Sequence, residues 1–371
     1  MFKAAGMLAA LIMTLTTLTG CFEPKSPATG AVVDVVQPSK GIESRRAEPV
    51  LETIAEKLKT PWAIDFDGDT IYISEREGDI VKIAGGKTER QKVKLLKPVL
   101  QKGEGGFLGF VLAPDFDRSR QAYAYHTYQE KGKMLNRVVL LRQTGNGWQE
   151  VKPLLENIPG SIYHNGGRLA IGPDKQLYIT TGDAQTESSA QDKKSLAGKI
   201  LRMTLQGKVP KDNPFPGSYV FSYGHRNSQG IAWDSTGHLY SSEHGPSGSP
   251  GGHDEMNLIK PGANYGWPLV IGDEKKEGTE PPLYHTGEKA IAPSGIATDS
   301  QDRFLVATLV GETLYRFDPK QPQQLQVVLD KQGRLRDVKV KDGYVYVITN
   351  NTDGRGKPGP TDDRLFRFKE Q

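Results

Sequence analysis

The chain has 371 residues, of which 36% are hydrophobic and 25% are charged, and its formal net charge is +4. This composition is that of a globular protein, and the length fits two average domains or one large repetitive all-β domain. The small net charge and the lack of a dense Lys/Arg tract give no indication of nucleic-acid binding. With 42 glycines and 24 prolines, the sequence favours many turns and therefore many short strands.

The N-terminal residues are predicted to be an export signal. Residues 1–20 combine a basic start with a short apolar stretch and end in small residues before the single cysteine, Cys21, as secretory signals do. The ending Leu-Thr-Gly-Cys resembles the bacterial lipoprotein signal, in which the cysteine receives lipid; a plain signal peptide and a short membrane anchor are the alternatives. We therefore expect an extracytoplasmic protein, anchored to a bacterial membrane through Cys21 alone, with residues 21–50 as a flexible tether.

A repeated unit occupies residues 51–371. Each copy has an apolar strand-like segment, a Gly or Asp turn and a second strand-like run, and most copies alternate apolar and polar residues. The copies begin at intervals of about 40–65 residues, close to the range expected of propeller blades. They are WAIDFDGDTIYISE from Trp62, FLGFVLAPDFDRSRQAYAYHTY from Phe107, GRLAIGPDKQLYITTGD from Gly167, QGIAWDSTGHLYSSEHG from Gln229, SGIATDSQDRFLVATL from Ser294 and LRDVKVKDGYVYVITN from Leu335. Six copies predict an all-β, six-bladed β-propeller rather than a β-sandwich with similar hairpins.

The loops before the first strands of these copies contain residues suited to chemistry. Because propeller blades surround a central channel, equivalent loops share one face, and residues far apart in sequence meet there. His164 suits proton transfer near neutral pH. Arg226, Arg334 and Arg336 suit a ligand with carboxylates or phosphates, which arginine binds bidentately. Each residue alone is also consistent with a structural role, so the prediction depends on their recurrence at equivalent positions.

Residues 222–268 predict one wall of a polar, metal-containing pocket. This stretch holds four of the seven histidines, nine glycines and the carboxylates Glu243, Asp254 and Glu255. Glycine lets backbone approach a ligand closely, and carboxylates and bare carbonyls are the ligands that calcium needs. A solvated glycine-rich loop with unrelated charges is the alternative.

Several motifs resemble those of the soluble quinoprotein sugar dehydrogenases. They are HNGGRLAIGPD, GKILRM followed by PKDNPF, YGHRNSQG, EHGP, DEMNLIKPGANYGWP and LRDV, and they stand in the family's order over residues 52–368. The sequence is thus similar to the aldose dehydrogenases that depend on pyrroloquinoline quinone (PQQ). The resemblance implies a six-bladed propeller that oxidises the C1 hydroxyl of an aldose to a lactone, with PQQ and calcium as cofactors and an external electron acceptor.

The resemblance also implies roles for individual residues. His164 would take the hydroxyl proton as hydride moves to the quinone. Arg226 would stabilise charge that develops on the quinone oxygen, as an oxyanion hole does. Asn227 would contact PQQ, and Arg334 and Arg336 would bind its carboxylates.

Two calcium sites are implied in the same way. The carbonyls of Gly245 and Pro246 would hold a calcium that also touches PQQ and polarises its reacting carbonyl. Glu255 and Tyr265, the latter through its backbone carbonyl, would hold a second, structural calcium. For Glu255, an ordinary surface carboxylate is the alternative.

Two residues depart from the family pattern. Glu104 stands in the cofactor region where members commonly carry glutamine, and a carboxylate there either repels an acidic cofactor or pairs with one of the arginines. Val310 aligns with a lysine that pairs with the quinone in characterised members. The loss of one charge-assisted hydrogen bond is expected to weaken PQQ binding by about 1–3 kcal/mol.

Two other functions fit the same scaffold. Propellers with a central calcium also host lactone and ester hydrolysis, in which metal and histidine activate water, and fold alone does not separate these reactions. A non-enzymatic binding propeller with a degenerate cofactor site is the third function; Glu104 and Val310 favour it, and His164 and the arginines oppose it. The leading prediction is the sugar dehydrogenase, with an aldose and an electron acceptor as its partners and a membrane contacted only through the lipid.

Overall fold

The computed structural model describes residues 48–248 and 251–371. The predicted signal at residues 1–20, the predicted lipidation site Cys21 and the tether up to residue 47 lie outside the described residues. Among the described residues, no helix has the length and the apolar character needed to cross a membrane.

The strands form six blades of four antiparallel strands each, as the six sequence copies predict, and the outer strands of the first two blades pair in parallel, which joins these blades into one eight-stranded sheet. The first strand, β1 (Glu52–Ala55), belongs to the last blade. The strands of blades 1 to 3 are β2 (Pro61–Asp67), β3 (Thr70–Glu75), β4 (Asp79–Ala84) and β5 (Lys87–Lys94); β6 (Phe107–Leu112), β7 (Gln121–Glu130), β8 (Lys133–Thr144) and β9 (Gly147–Pro159); and β10 (Leu169–Ile171), β11 (Gln176–Thr181), β12 (Lys199–Thr204) and β13 (Val220–Tyr223).

Blades 4 to 6 repeat this arrangement. Their strands are β14 (Ser228–Trp233), β15 (Leu239–Glu243), β16 (Glu255–Ile259) and β17 (Tyr284–His285); β18 (Pro293–Thr298), β19 (Phe304–Thr308), β20 (Leu314–Phe317) and β21 (Leu325–Leu329); and β22 (Leu335–Lys341), β23 (Tyr344–Thr349) and β24 (Leu365–Lys369), followed by β1. Helical structure in the described residues is limited to α1 (Phe116–Ser119) and one 3₁₀ turn (Glu187–Ala190).

The N-terminal strand closes the ring of blades. Strand β1 pairs antiparallel with β24, and Glu52 lies opposite Arg367 in the register. The same two side chains form an ion pair, with Arg367 Nε 2.7 Å from Glu52 Oε2. The last blade therefore contains strands from both ends of the described chain, which the sequence repeats did not predict.

Aromatic side chains hold neighbouring blades together. Tyr72 of β3, Phe110 of β6 and Trp148 of β9 are each at most 2% exposed. The Trp148 ring meets both others edge to face, with centroids 5.8 Å from Tyr72 and 5.4 Å from Phe110. Because aromatic side chains bury large areas in specific geometries, these contacts fix the packing of blade 1 on blade 2.

A buried arginine connects four blades at the central channel. Arg168, just before β10 in blade 3, has its Nη1 atom 3.0 Å from Oδ2 of Asp337 in blade 6. Its Nε donates to the carbonyl of Gln229 in blade 4, 2.9 Å away, and its guanidinium lies over the Trp62 ring of blade 1, 4.1 Å from the centroid. These bonds hold the ends of the innermost strands together, and the loops that carry the predicted site residues start from these ends.

Candidate active site

His164 is held by a buried carboxylate. It lies in the loop before β10, and its backbone has a φ of 58°, a left-handed conformation that is uncommon for residues other than glycine. Its Nδ1 atom lies 2.8 Å from Oδ1 of Asp183. The His164 side chain is 18% exposed, whereas the Asp183 side chain is fully buried. The imidazole is thus fixed at one nitrogen and reaches the channel surface.

Asp183 is the main residue of the site that the sequence analysis missed. Its Oδ2 atom accepts a hydrogen bond from the indole Nε1 of Trp267 at 2.9 Å, and its backbone N–H donates to the carbonyl of Arg226 at 2.8 Å. It is the second residue after the end of strand β11, in the segment ITTGD. A carboxylate at the channel end of a blade strand is the signal that could have identified it.

Gly182 allows this carboxylate to approach His164. A Cβ atom at position 182 would lie 2.0 Å from the carbonyl oxygen of His164 and 3.0 Å from Oδ1 of Asn227. The distance to the His164 carbonyl oxygen is too short for any Cβ atom, whereas the distance to Asn227 Oδ1 would require a small shift of that side chain. The glycine in the ITTGD segment is therefore required by the close passage of two backbone segments.

Arg226 shares its surroundings with His164. Its guanidinium lies 5.4 Å from the centroid of the same Trp267 ring that bonds Asp183, and its backbone N–H donates to Glu243. Its Nη2 atom donates to Oγ of Ser247 at 3.2 Å. Burial lowers the pKa of Arg226, although the nearby carboxylates, led by that of Asp183, oppose this shift. The structure therefore brings the two predicted catalytic residues together around Asp183 and Trp267.

Asn227 and Arg336 lie at the same end of the channel. Oδ1 of Asn227 accepts the backbone N–H of Gly166 at 3.0 Å. Arg336 donates from Nη2 to Asn350 Oδ1 and from Nη1 to Gln229 Oε1, both at 2.8 Å. Burial lowers the pKa of Arg336 to about 9, so the environment of this guanidinium favours an anionic partner.

Arg334 is held by a carboxylate of its own blade. Nη2 of Arg334 lies 2.8 Å from Oδ2 of Asp353, and the two side chains are 7% and 4% exposed. Its Nη1 atom donates to the carbonyl of Leu309 at 3.1 Å. Val310, the next residue, is 56% exposed. Arg334 and Arg336 thus both reach the site. Val310, which aligns with a lysine in the family that the sequence resembles, faces solvent instead.

Glu104 forms an ion pair with an arginine, which is one of the two alternatives predicted for it from the sequence. The partner is not one of the three predicted arginines. The Oε1 atom of Glu104 lies 2.9 Å from Nη1 of Arg355. Its Oε2 atom accepts the backbone N–H of His164 at 3.1 Å. Burial tends to raise the pKa of Glu104, but His244, Arg355 and the His164 N–H outweigh it, and the net shift is downward. Glu104 therefore stays ionised beside the catalytic loop.

A small polar pocket at this end of the channel is lined by two of the predicted site residues, Glu104 and Arg336, whereas His164, Arg226, Asn227 and Arg334 are not among its lining residues. Two lining arginines, Arg76 and Arg355, were not identified from the sequence. Nη2 of Arg76 donates to the carbonyls of Gly103 and Gly105, which flank Glu104. The pocket is lined by Trp62, Arg76, Gly103, Glu104, Asn165, Gly166, Gln229, Leu309, Arg336, Asp353 and Arg355.

Three buried donors at this end of the channel suit an acceptor-rich ligand. Within the described part of the chain, Nε of Arg76, Nε of Arg226 and Nδ2 of Asn227 are buried and have no hydrogen-bond partner. Buried polar groups are rarely left unpaired, and an unpaired one costs about 1–3 kcal/mol. A ligand that carries several carboxylates and carbonyls, such as PQQ, fits this donor set.

The predicted calcium ligands lie at two positions in blade 4. Gly245 follows β15, and its N–H donates to Oδ1 of Asp254 at 2.9 Å. The carbonyl of Pro246 accepts the N–H of Gly252 at 3.0 Å. Glu255 and Tyr265 line one pocket together. Burial, with a further contribution from Glu243, raises the pKa of Glu255 to about 8, as expected of a buried carboxylate beside a second one.

Side chains alone do not make a metal site here. In the ranges 48–248 and 251–371, no cluster of three or more His, Cys, Asp or Glu side chains has a geometry that could hold a metal ion. The backbone carbonyls of Gly245, Pro246 and Tyr265 are the ligands that the sequence predicts in addition to the carboxylate of Glu255. Carbonyl oxygens are ordinary calcium ligands.

Known proteins resemble this chain along most of its length. The family model for Glucose / Sorbosone dehydrogenase matches residues 58–357. The chain is 31% identical to the aldose sugar dehydrogenase YliI of Escherichia coli over 343 residues, which cover 82% of this chain and 91% of that protein. It is 33% identical to quinoprotein glucose dehydrogenase B of Acinetobacter calcoaceticus over 286 residues, 67% of this chain and 58% of that protein.

Solved structures show the same relationship. The PQQ-bound aldose sugar dehydrogenase of Streptomyces coelicolor matches with a TM-score of 0.79 and 36% identity, covering 88% of this chain and 99% of that chain. A putative oxidoreductase (glucose dehydrogenase) of Thermus thermophilus matches with a TM-score of 0.80 and 41% identity, covering 86% and 99%. These matches favour the dehydrogenase over the hydrolase and over the non-enzymatic propeller. The chain therefore belongs to the glucose/sorbosone dehydrogenase family of oxidoreductases, together with the PQQ-dependent aldose sugar dehydrogenases.

Proposed function

We propose that this protein oxidises the C1 hydroxyl of aldose sugars to the lactone, with PQQ as the hydride acceptor and an external acceptor for the electrons. The observation that carries the proposal is the His164–Asp183 hydrogen bond at the channel end where the arginines gather. Bound PQQ would supply a quinone carbonyl that accepts hydride. The chain itself has to bind the cofactor, orient the sugar and accept one proton.

His164 is the proposed base. When the Nδ1–H group donates a hydrogen bond to Asp183, the neutral imidazole has its lone pair on Nε2, which is the nitrogen able to accept the sugar hydroxyl proton. The negative charge of Asp183 then stabilises the imidazolium that forms. The indole N–H of Trp267 holds the second Asp183 oxygen and keeps the carboxylate in this orientation.

Arg226, Asn227, Arg334 and Arg336 are the proposed cofactor residues. The unpaired donors Arg226 Nε and Asn227 Nδ2 suit carbonyl or carboxylate oxygens. Arg226 lies beside the histidine loop, so its charge is close to the reacting atoms and can stabilise negative charge that develops there. Arg334 and Arg336, in blade 6, would bind the carboxylates.

Calcium is the second proposed cofactor. Gly245 and Pro246 would offer carbonyls to a calcium near the reacting centre, which would act there as a Lewis acid. Glu255 and the carbonyl of Tyr265 would hold a structural calcium. The position of Glu255 and Tyr265 in the lining of one pocket supports this proposal, because a carboxylate and a carbonyl are both ordinary calcium ligands.

We also propose that the protein is exported and held on a bacterial membrane by a lipid on Cys21. The ending of residues 1–21 supports this proposal. A Cys21→Ser variant is expected to move from the membrane fraction to the soluble extracytoplasmic fraction. Retention of Cys21→Ser on the membrane would contradict the lipid anchor.

The central experiment is sugar-dependent dye reduction by the purified protein after addition of PQQ and calcium. We expect reduction to require both additions and to disappear in His164→Ala, while PQQ binding by this variant stays within a few-fold of the original protein. His238→Ala is the matched control, because the His238 side chain is 63% exposed and pairs with Asp234 in a surface turn. Full activity of His164→Ala would show that another group is the base.

A further inference from the structure

Arg355 is a cation at the edge of the cofactor pocket that the proposed mechanism does not yet use. It lies between β23 and β24, and its side chain is 47% exposed. Its Nη1 atom lies 2.9 Å from Oε1 of Glu104, 251 positions away in the sequence. Its guanidinium also lies over the Tyr163 ring, 5.3 Å from the centroid. It therefore bridges the blade 6 loop and the loops that carry Glu104 and His164.

The other arginines of the site are held more firmly. Arg334 is bound through two nitrogens to the buried Asp353. Arg336 is bound to Asn350 and Gln229 and is 5% exposed. Arg76 donates to two backbone carbonyls and is also 5% exposed.

The Glu104–Arg355 ion pair is the easiest of these contacts to exchange. The Arg355 and Glu104 side chains are 47% and 20% exposed, whereas those of Arg334 and Asp353 are only 7% and 4% exposed. Water therefore competes more for the Glu104–Arg355 pair, and its separation costs less than movement of Arg334, which would leave a buried charge on Asp353. Arg355 can turn towards a new anion without disruption of the blades.

Glu104 and a ligand carboxylate would compete for the same guanidinium. Of the two carboxylates that line the pocket, Asp353 is neutralised by Arg334. Glu104 is neutralised by Arg355 and keeps a second bond to the backbone N–H of His164. Loss of Arg355 to a ligand would thus leave Glu104 still anchored beside the catalytic histidine.

We propose that Arg355 binds a carboxylate of the anionic cofactor by exchange of its partner Glu104. This inference rests on the proposed function, since it takes PQQ as the ligand. Arg355 then supplies a cation to the pocket from a neighbouring loop. Glu104 acts as an internal competitor that holds Arg355 near the pocket before the cofactor arrives and lowers the net affinity.

The test is a double-mutant cycle in which PQQ affinity is measured by isothermal titration calorimetry with calcium present. The proteins are the unmodified chain, Glu104→Gln, Arg355→Ala and the double variant. We expect Glu104→Gln to bind PQQ more tightly, because the competitor is gone. We expect Arg355→Ala to bind about 10-fold more weakly or worse, the effect of one charge-assisted hydrogen bond, and we expect a larger loss in the Glu104→Gln background, where Arg355 gives up no partner when PQQ binds.

The comparison within the Glu104→Gln background decides the inference. If Arg355 only neutralises Glu104, the double variant will bind PQQ as tightly as Glu104→Gln, and the inference is overturned. Lys357→Ala is the control, because Lys357 is an exposed cation of the same loop that does not line the pocket. An equal loss in Lys357→Ala would indicate a general charge effect and would also overturn the inference.

A second probe separates this inference from the function on which it rests. The trimethyl ester of PQQ has the same ring system without the carboxylate charges. The unmodified protein should prefer PQQ to the ester, and Arg355→Ala should reduce this preference about 10-fold. An unchanged preference would overturn the role of Arg355 alone, whereas failure of the unmodified protein to bind PQQ at all would overturn the proposed function and this inference with it.

Discussion

Nδ1 of His164 lies 2.8 Å from Oδ1 of Asp183, and this bond joins the loop before blade 3 to the end of its second strand. The Asp183 side chain is fully buried, and its other oxygen is held by Trp267. The orientation of the imidazole is thus set by a residue that does not itself face the channel.

The first prediction concerns Asp183→Asn. The amide introduced at this position is neutral and can present an N–H group to Nδ1 of His164. Nδ1 then accepts a hydrogen bond, so the imidazole proton moves to Nε2 and this nitrogen can no longer act as the base. We expect kcat to fall by about 10²–10⁴-fold, the contribution of a well-placed general base, while PQQ affinity stays within a few-fold. Steady-state kinetics at saturating PQQ, with a pH profile, will measure this. Glu187→Gln, an exposed change nearby, should leave kcat unaltered; equal kcat values for the two variants would contradict the role of Asp183.

The second prediction concerns Gly182→Ala. The new Cβ atom would lie 2.0 Å from the His164 carbonyl oxygen, so one of the two backbone segments has to move. We expect a loss of about 1–3 kcal/mol in unfolding free energy, as for overpacked sites, together with a lower kcat. Chemical denaturation gives the first quantity. Gly359→Ala is the control, because its nearest contact at 3.4 Å is an ordinary one; similar destabilisation by both changes would rule out this explanation.

The third prediction concerns the Arg334–Asp353 ion pair and pH. Burial tends to raise the pKa of Asp353, but Arg334 and Arg336 outweigh it, and the net shift is below the ordinary value of 3.8. A carboxyl whose pKa is lowered on folding stabilises the fold above its unfolded pKa, and this stabilisation is lost as pH falls through the folded value.

Asp353→Asn should therefore destabilise the protein near pH 7 and have a smaller effect at the acid limit. Removal of one partner from a buried pair costs about 3–5 kcal/mol. Melting temperatures recorded from pH 7 down to pH 3 will show whether the two proteins converge. A constant difference at every pH would mean that the charge of Asp353 does not contribute.

The fourth prediction concerns the proposed structural calcium. Calcium at 100 times its dissociation constant should stabilise the fold by about 2.7 kcal/mol, and a chelator should reverse the effect. Glu255→Gln should abolish most of this stabilisation, because it removes the charged ligand. Thermal unfolding with and without calcium measures it. Glu77→Gln, a change at an exposed carboxylate that pairs with Lys59 and does not line the pocket of Glu255 and Tyr265, should respond to calcium as the unmodified protein does.

Much of the fold could be predicted from the sequence. Each copy alternates apolar and polar residues on both sides of a turn, and this local pattern specifies paired strands with one buried face. The outermost strands were harder to recognise. Strand β5 has the sequence KTERQKVK and is mostly exposed, so it lacks the apolar signal, and it forms because β4 offers it an edge.

The candidate site was only partly predictable. His164, Arg226, Asn227, Arg334 and Arg336 stand in motifs that resemble those of a known family, and the structure brings them to one end of the channel. Arg76 and Arg355 carry no local signal, because an arginine beside a turn is ordinary in any sequence.

The sequence by itself determined the repeat, the number of blades and the residue types available for chemistry, since strand pairing within a blade depends on neighbours in the chain. Only the tertiary structure decided which of these residues meet. Glu104 and Arg355 are 251 positions apart, and β1 joins the last blade through β24. Such contacts depend on closure of the ring, which brings the first and last described strands together and has no counterpart in the local pattern of residues.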